Sequence, residues 1–297
     1  MQHVLVVGAT GRLGSKIVRE LAALGATIRA SHRADSKPEA IATLRDAGVE
    51  LVVADLHDEA ALRRACEGTD VVVSAVIGLR DIILDGQTRL VRAAEAAGVM
   101  RMLPSDYAID FFATRDGDNR NLDLRREFSR IIDASKVRAT SVLGGAFMDL
   151  LVFGAMGPDP KTGVFRVWGD PDQPYDFTAT DDLAKYVAAV AVDTTSPRVV
   201  RVAGDTKSPR EIAAIVEDVR RMPVTIERTG SLADLDAKIA ELRAADEAAT
   251  EMFPRYQQLQ YTRDMASGRG KLAPLDNARF PSIHPMGIAE LLRQPRR

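Results

Sequence analysis

Gly8, Gly11 and Gly14 stand three residues apart in Gly8-Ala9-Thr10-Gly11-Arg12-Leu13-Gly14. They follow the apolar run His3–Val7 and open a stretch with Leu13, Ile17, Val18, Leu21 and Leu24 at helical spacing. A glycine turn from a strand into a helix lets the backbone approach a phosphate. The first helical N–H groups and the dipole then favour the anion. The spacing is Gly-x-x-Gly-x-x-Gly rather than Gly-x-Gly-x-x-Gly, yet the three roles of tight turn, close approach and helix packing carry over. A P-loop does not fit, because the order is Gly14-Ser15-Lys16. The expectation is a dinucleotide pyrophosphate held by Gly8, Thr10, Gly11, Arg12, Leu13 and Gly14, against the alternative of an ordinary glycine turn.

The second apolar run ends Ala30-Ser31-His32-Arg33, where a site for NAD would place an acid against the ribose 2′-hydroxyl. None stands there. Arg33 beside His32, with Arg12 and Lys37 in reach, offers donors for a 2′-phosphate. Charge-assisted bonds of roughly 1.5–3 kcal/mol each predict NADPH over NADH by about tenfold or more per contact. The bland alternative is a set of solvated surface cations. Two further strand ends belong at the same sheet edge: Asp55 and Leu56 to flank the adenine, and Ser74, Ala75, Val76, Ile77 and Gly78 to line the far side of the dinucleotide.

The elements that must position these residues alternate. Apolar runs at His3–Val7, Thr27–Ser31, Leu51–Ala54, Val71–Ser74, Met102–Leu103 and Thr140–Leu143 are separated by amphipathic stretches. That pattern predicts an α/β fold, a Rossmann-type doubly wound parallel sheet covered by helices on both faces. Beyond about Gly154 turn clusters break the rhythm, so residues 1–155 read as the NADP-binding domain and 156–297 as a smaller C-terminal substrate lobe. Within the lobe, the strand Val164–Trp168, the helix Asp181–Val192 and the strand Val199–Val202 have the option of packing back on the sheet. A β-like segment at Val224–Glu227 and an exposed helix over Ala233–Thr250 follow.

Composition narrows the function classes. The 297 residues are 46% hydrophobic and 28% charged, as in an ordinary soluble protein. A formal net charge of −2 gives no basic footprint for nucleic acid. One cysteine, Cys66, excludes an internal disulfide and reads as a small apolar residue of a helix. The four histidines, His3, His32, His57 and His284, are too scattered for a metal cluster. No apolar run reaches the roughly 18 residues of a membrane span, and the immediate start of the first strand leads to the expectation of no secretory leader. The expectation is a cytoplasmic monomer or homodimer that binds no metal, nucleic acid or membrane and acts on a small molecule.

From Asp70-Val-Val-Val-Ser-Ala-Val-Ile-Gly78 through Gln87 to Leu103-Pro-Ser-Asp-Tyr-Ala-Ile-Asp110, the chain resembles the NmrA-like, atypical short-chain dehydrogenase/reductases. It is most similar to their isoflavone, pinoresinol–lariciresinol and phenylcoumaran benzylic ether reductase branch. The likeness runs from Met1 to about Ala203, including Gly169-Asp170 and Asp181-Asp182. It implies an NADPH-dependent reductase of a small, aromatic or other carbonyl, quinone, imine or benzylic ether. The other side of the family implies a non-catalytic NADP(H)-binding sensor that acts through a protein partner.

The resemblance also implies site residues. The family's Tyr-x-x-x-Lys pair is absent, since Tyr107 is followed by Ala-Ile-Asp-Phe, and the branch lysine aligns with Arg125. An arginine exchanges no proton near neutrality but donates hydrogen bonds to a developing oxyanion. Arg125 reads equally as an exposed residue of a charged helix start. Pro104 belongs with the cofactor. Ser105 and Asp106 fall in the nicotinamide pocket, holding a proton-donating water, or merely cap. Phe147 and Met148 face substrate or pack in the core, and His284 reaches substrate or sits on a surface loop.

Overall fold

The computed structural model describes residues 2–245 and 250–294. The chain divides into two compact units, each assembled from three stretches: Met1–Tyr107, Leu124–Val142 and Leu183–Val200 form unit 1, and the remaining residues form unit 2.

Unit 1 is built on β1 (His3–Val7), β2 (Thr27–His32), β3 (Glu50–Val53), β4 (Val71–Ser74), β5 (Arg101–Leu103) and β6 (Arg138–Ala139), all parallel, in the order β3-β2-β1-β4-β5-β6. Between them run α1 (Arg12–Ala23), α2 (Pro38–Asp46), α3 (Glu59–Cys66), a π-helical turn at Arg80–Gly86 and α4 (Gln87–Ala96). The C-terminal parts of α5 (Arg120–Asp133) and α6 (Thr180–Val192) complete the unit. Strands covered on both faces must be apolar throughout, and Val4, Leu5, Val6, Val71, Val72 and Val73 are at most 3% exposed. On one side Leu5, Leu62, Leu90, Met102, Phe128 and Ile132 form a continuous core. Cys66 belongs to that core, and burial pushes its thiol up to about 12, which leaves it inert, as the helix reading expects. Leu24, placed on the apolar stripe of α1 by its spacing, is exposed because the helix ends at Ala23.

One buried charge fixes the lower end of β5. Arg101, 2% exposed, donates to the carbonyls of Val190 and Asp193 at the end of α6. These carbonyls have no partner inside the helix, and a cation suits the negative end of its dipole.

In unit 2, β10 (Tyr175–Thr178) lies between β8 (Ala146–Phe147), to which it is parallel, and β12 (Asp205–Lys207), to which it is antiparallel. A parallel pair joins β9 (Val164–Trp168) to β13 (Thr225–Gly230). β7 (Ser141–Leu143), which pairs with β11 (Val199–Arg201), belongs with its partner mainly to unit 1, only Leu143 and Arg201 falling in unit 2. Helices α7 (Pro209–Arg220), α8 (Leu232–Ala245), α9 (Arg255–Ala266) and α10 (Ile288–Arg293) complete the unit. Helix α7 opens with a capping box: Ser208 Oγ accepts from Glu211 N at 3.3 Å, and Glu211 Oε2 accepts from Ser208 N at 2.8 Å. Leu235, Ile239 and Leu259 join α8 to α9. The helix expected over Ala233–Thr250 is observed as Leu232–Ala245, and residues 246–249 lie outside those described.

Candidate cofactor and active site

Strand order reverses at β1, which pairs with β2 on one side and β4 on the other, so a crevice opens past the carboxyl ends of β1 and β4. The glycine loop begins there. Gly8 adopts φ +82°, and a Cβ on it would lie 2.7 Å from the Ala75 carbonyl oxygen. At Gly14 a Cβ would sit 2.1 Å from the Gly8 carbonyl oxygen, so only glycine lets α1 start this close to the loop. Gly11 is the N-cap of α1, with no side-chain cap and no acidic residue in the first turn. Gly11 N donates to Gly8 O at 3.0 Å, and no side chain caps the amides that follow at the start of α1, which are the groups that favour an anion.

The other cofactor residues expected from sequence surround this loop within unit 1. Thr10 and Leu13 are half-buried on the turn, and Arg12 is exposed. At the end of β2, Arg33 is exposed and pairs with Asp35 at 3.2 Å, Lys37 is exposed, and His32 Nδ1 contacts the Arg33 carbonyl at 2.9 Å. Beyond β3, Asp55 accepts from His57 N at 2.8 Å and pairs with its Nδ1 at 2.7 Å. These bonds, with Arg33 adding to them, hold the Asp55 carboxyl below the usual range. Leu56 is buried and its carbonyl accepts from Arg89. Past β4, Ser74 is buried, Ala75 N donates to Val7 O at 2.8 Å, and Ala75 and Val76 are half-buried. Ile77, expected in the same lining segment, is 64% exposed at this edge.

Pro104, Ser105 and Asp106 follow β5 and are all buried. Ser105 N donates to Gln87 Oε1 at 2.9 Å and its Oγ donates to the Val76 carbonyl at 2.6 Å, tying the β5 end to the β4 end. Asp106 is fully buried. Its Oδ2 accepts from Ser141 Oγ at 2.6 Å, Ser141 accepts from Arg198 Nη1 at 2.7 Å, and Oδ1 has no hydrogen-bond partner. Burial pushes the carboxyl up, and the charges of Arg125 and Arg198 offset only part of that effect. Sequence spacing gave no hint of Ser141 and Arg198, which come from distant segments. Tyr107 donates to the Ser74 carbonyl at 2.9 Å, and burial raises its phenol further above the usual range. Arg125 is half-buried on α5 rather than exposed.

Because Asp106 holds its proton longer folded than unfolded, its contribution to stability is complete below the ordinary aspartate range. It is lost as pH rises through the folded value. Asp106→Asn keeps the acceptor for Ser141 and never ionises. Thermal melts should therefore show the variant above the parent near neutral pH, with the gap closing towards about pH 4. A gap that widens on acidification would contradict this.

The three substrate candidates lie in unit 2. Met148 is fully buried, Phe147 is half-buried on β8, and His284 is exposed. Met148 therefore packs in the core. Among the described residues no group of acids, histidines or cysteines could hold a metal, and no helix is long and apolar enough to cross a membrane.

Comparison with known proteins adds a family. Residues 1–270 match the model of the NmrA-like family. "Isoflavone reductase homolog IRL" of Zea mays is 33% identical over 201 residues, and "Pinoresinol reductase 2" of Arabidopsis thaliana is 32% identical over 209. Each match takes in 64% of this chain, and it spans 64% and 65% of the two relatives' own lengths. Among solved structures, one described as "AtPrR2 with NADP+ and (+)pinoresinol" superposes with a TM-score of 0.84 at 24% identity, covering 98% of both chains. An isoflavone reductase crystal structure gives 0.83 at 21%, also covering 98% of both. At these identities the superpositions establish the fold, a parallel Rossmann-like sheet.

Proposed function

The chain belongs to the NmrA-like family, and from that membership together with the site geometry we propose that it is an NADPH-dependent reductase of a small aromatic or conjugated carbonyl, quinone, imine or benzylic ether. The observation that carries this reading is the backbone cradle at Gly8 and Gly14, where any Cβ would strike the carbonyls of Ala75 or Gly8. That cradle suits a pyrophosphate. Arg33, with Arg12 and Lys37, would hold the 2′-phosphate; Asp55 and Leu56 would flank the adenine; Ser74, Ala75, Val76 and Pro104 would line the remainder. Bound NADPH would supply hydride, and the protein's part is to orient it and exclude water. Arg125, whose charge acts on Asp106, would donate a hydrogen bond to the substrate oxygen as negative charge develops there. The names of the relatives, isoflavone and pinoresinol reductases, support a phenylpropanoid-like substrate class.

One observation favours the sensor alternative. Ser105 and Tyr107 already donate to carbonyls and Asp106 is enclosed, so the β5 segment offers no ready proton. Turnover decides between the two. Consumption of NADPH with a member of an aldehyde, quinone and phenylpropanoid panel supports the reductase. Tight binding without turnover on any of them, with a protein partner recovered by pull-down, supports the sensor.

The cofactor assignment has its own test. Arg33→Asp should remove most of the preference for NADPH over NADH, about tenfold or more, in paired fluorescence titrations. Equal affinity of the parent protein for the two cofactors would sink the assignment.

A further inference from the structure

Within unit 2, helices α8 and α9 each turn one side towards a cavity of about 660 Å³, a size that suits a small organic molecule. Asp236, Ile239, Ala240, Arg243 and Ala244 line it from α8, and Tyr256, Gln260 and Arg263 from α9. In both sets the spacing is three or four residues, which places each set on one helix face. Asp118 and Arg120, at the entry to α5, complete the lining. None of these residues is assigned to the cofactor or to hydride transfer.

Most of the polar groups here already have partners. Arg263, 8% exposed at its side chain, donates to Asp236 Oδ1 at 3.2 Å, Asp264 Oδ1 at 3.0 Å and the Asp118 carbonyl at 2.6 Å. The Asp118 carboxylate pairs with Arg269 at 3.2 Å. Arg120 donates to the Tyr256 hydroxyl and to the carbonyls of Glu251 and Met252, at 2.9 Å each. Other donors remain uncommitted. Gln260 is 1% exposed, and its Oε1 accepts from Arg120 N at 3.2 Å, which fixes the orientation of the amide. Its Nε2 then has no hydrogen-bond partner among the described residues. Tyr256, by accepting from Arg120, keeps its own hydroxyl hydrogen for another acceptor. Arg243 is exposed and has no acidic partner among the described residues. A nearly buried amide donor without a partner is costly, so an acceptor arriving in the cavity meets a group that gains from it.

The chemistry of that acceptor follows from charge and spacing. Tyr256 and Gln260 stand one helical turn apart on α9, so their donors are neighbours and suit the two oxygens of one carboxylate. Among the described lining residues three arginines face two aspartates, a surplus of one positive charge that matches a monoanion. A phosphate monoester, closer to a dianion at neutral pH, would meet Asp118 and Asp236. From α8, Ile239, Ala240 and Ala244 offer a low apolar strip on which a flat ring can lie. We propose that this cavity binds a small aromatic acid, its carboxylate taking the donors of Gln260, Tyr256 and Arg243 and its ring resting on the α8 strip. The site stands whether or not the chain turns over NADPH.

The probes are 2-naphthoate, the neutral 2-naphthylmethanol and 2-naphthyl phosphate, titrated calorimetrically into the full chain. The parent should bind 2-naphthoate saturably and the other two at least about tenfold more weakly. Gln260→Glu keeps the acceptor for Arg120 N but sets a carboxylate oxygen where the amide donor stood, and should weaken 2-naphthoate at least about tenfold. Arg243→Gln should weaken it about threefold or more, and Ala240→Phe, which fills the strip, should abolish it. Ala240 and Arg243 are exposed, so these two variants keep the fold even if Gln260→Glu does not, and thermal melts check each. Three results would overturn the proposal: no saturable binding of 2-naphthoate by the parent, either other probe bound as tightly, or parent-like binding of 2-naphthoate by any folded variant.

Discussion

Gly14→Ala is expected to abolish measurable NADPH binding, weakening it at least about a hundredfold. The added methyl would start 2.1 Å from the Gly8 carbonyl oxygen and 2.9 Å from its carbon. No rotamer relieves this, because both atoms are backbone. The first turn of α1 must move off the β1 end, and the amide donors that form the phosphate cradle move with it. The overpacking should cost about 1–3 kcal/mol of stability as well. A matched control separates the two effects. Ile17→Val, a fully buried position on the same helix, costs about 0.5–1.5 kcal/mol by methylene removal and leaves the loop alone. It should lower the melting temperature and keep NADPH affinity. If Gly14→Ala binds NADPH as tightly as Ile17→Val does, the loop is not the pyrophosphate site.

The second large effect belongs to Arg125. Its proposed hydrogen bond forms only as the substrate oxygen gains charge, so Arg125→Ala should lower kcat by about 10²–10³ while NADPH affinity stays near the parent value. Arg125→Lys should recover part of the loss, since an ammonium replaces the charge without the planar fork. Steady-state kinetics with direct cofactor titration separates this from a structural role. A parallel fall of kcat and NADPH affinity would mean that the guanidinium only props up the β5 end through Asp106.

Legibility in the sequence followed burial. The strands of unit 1 announce themselves because helices cover both faces, and β1, β2 and β4 fall within a residue of the apolar runs. The glycine loop was legible because its conformation excludes every other residue type. Strands β8 and β12 are not readable: they are two and three residues long, and β12 is Asp205-Thr206-Lys207, whose pairing is set by tertiary contacts rather than by hydrophobic alternation. Asp106 was placed correctly at the end of a strand, but its enclosure depends on Ser141 and Arg198, 35 residues and more along the chain. The change of rhythm near residue 155 is real in composition, whereas the compact units interleave through six alternating stretches.

That interleaving bears on how the protein is made. Unit 1 lacks its last stretch until Val200 has emerged from the ribosome, and unit 2 begins as early as Ala108. Neither can finish before synthesis is well past the glycine loop, so the nascent chain carries an incomplete nucleotide fold for most of its growth. Apolar β4 and β5 then depend on partners not yet made, which is the condition under which growing chains need chaperone protection.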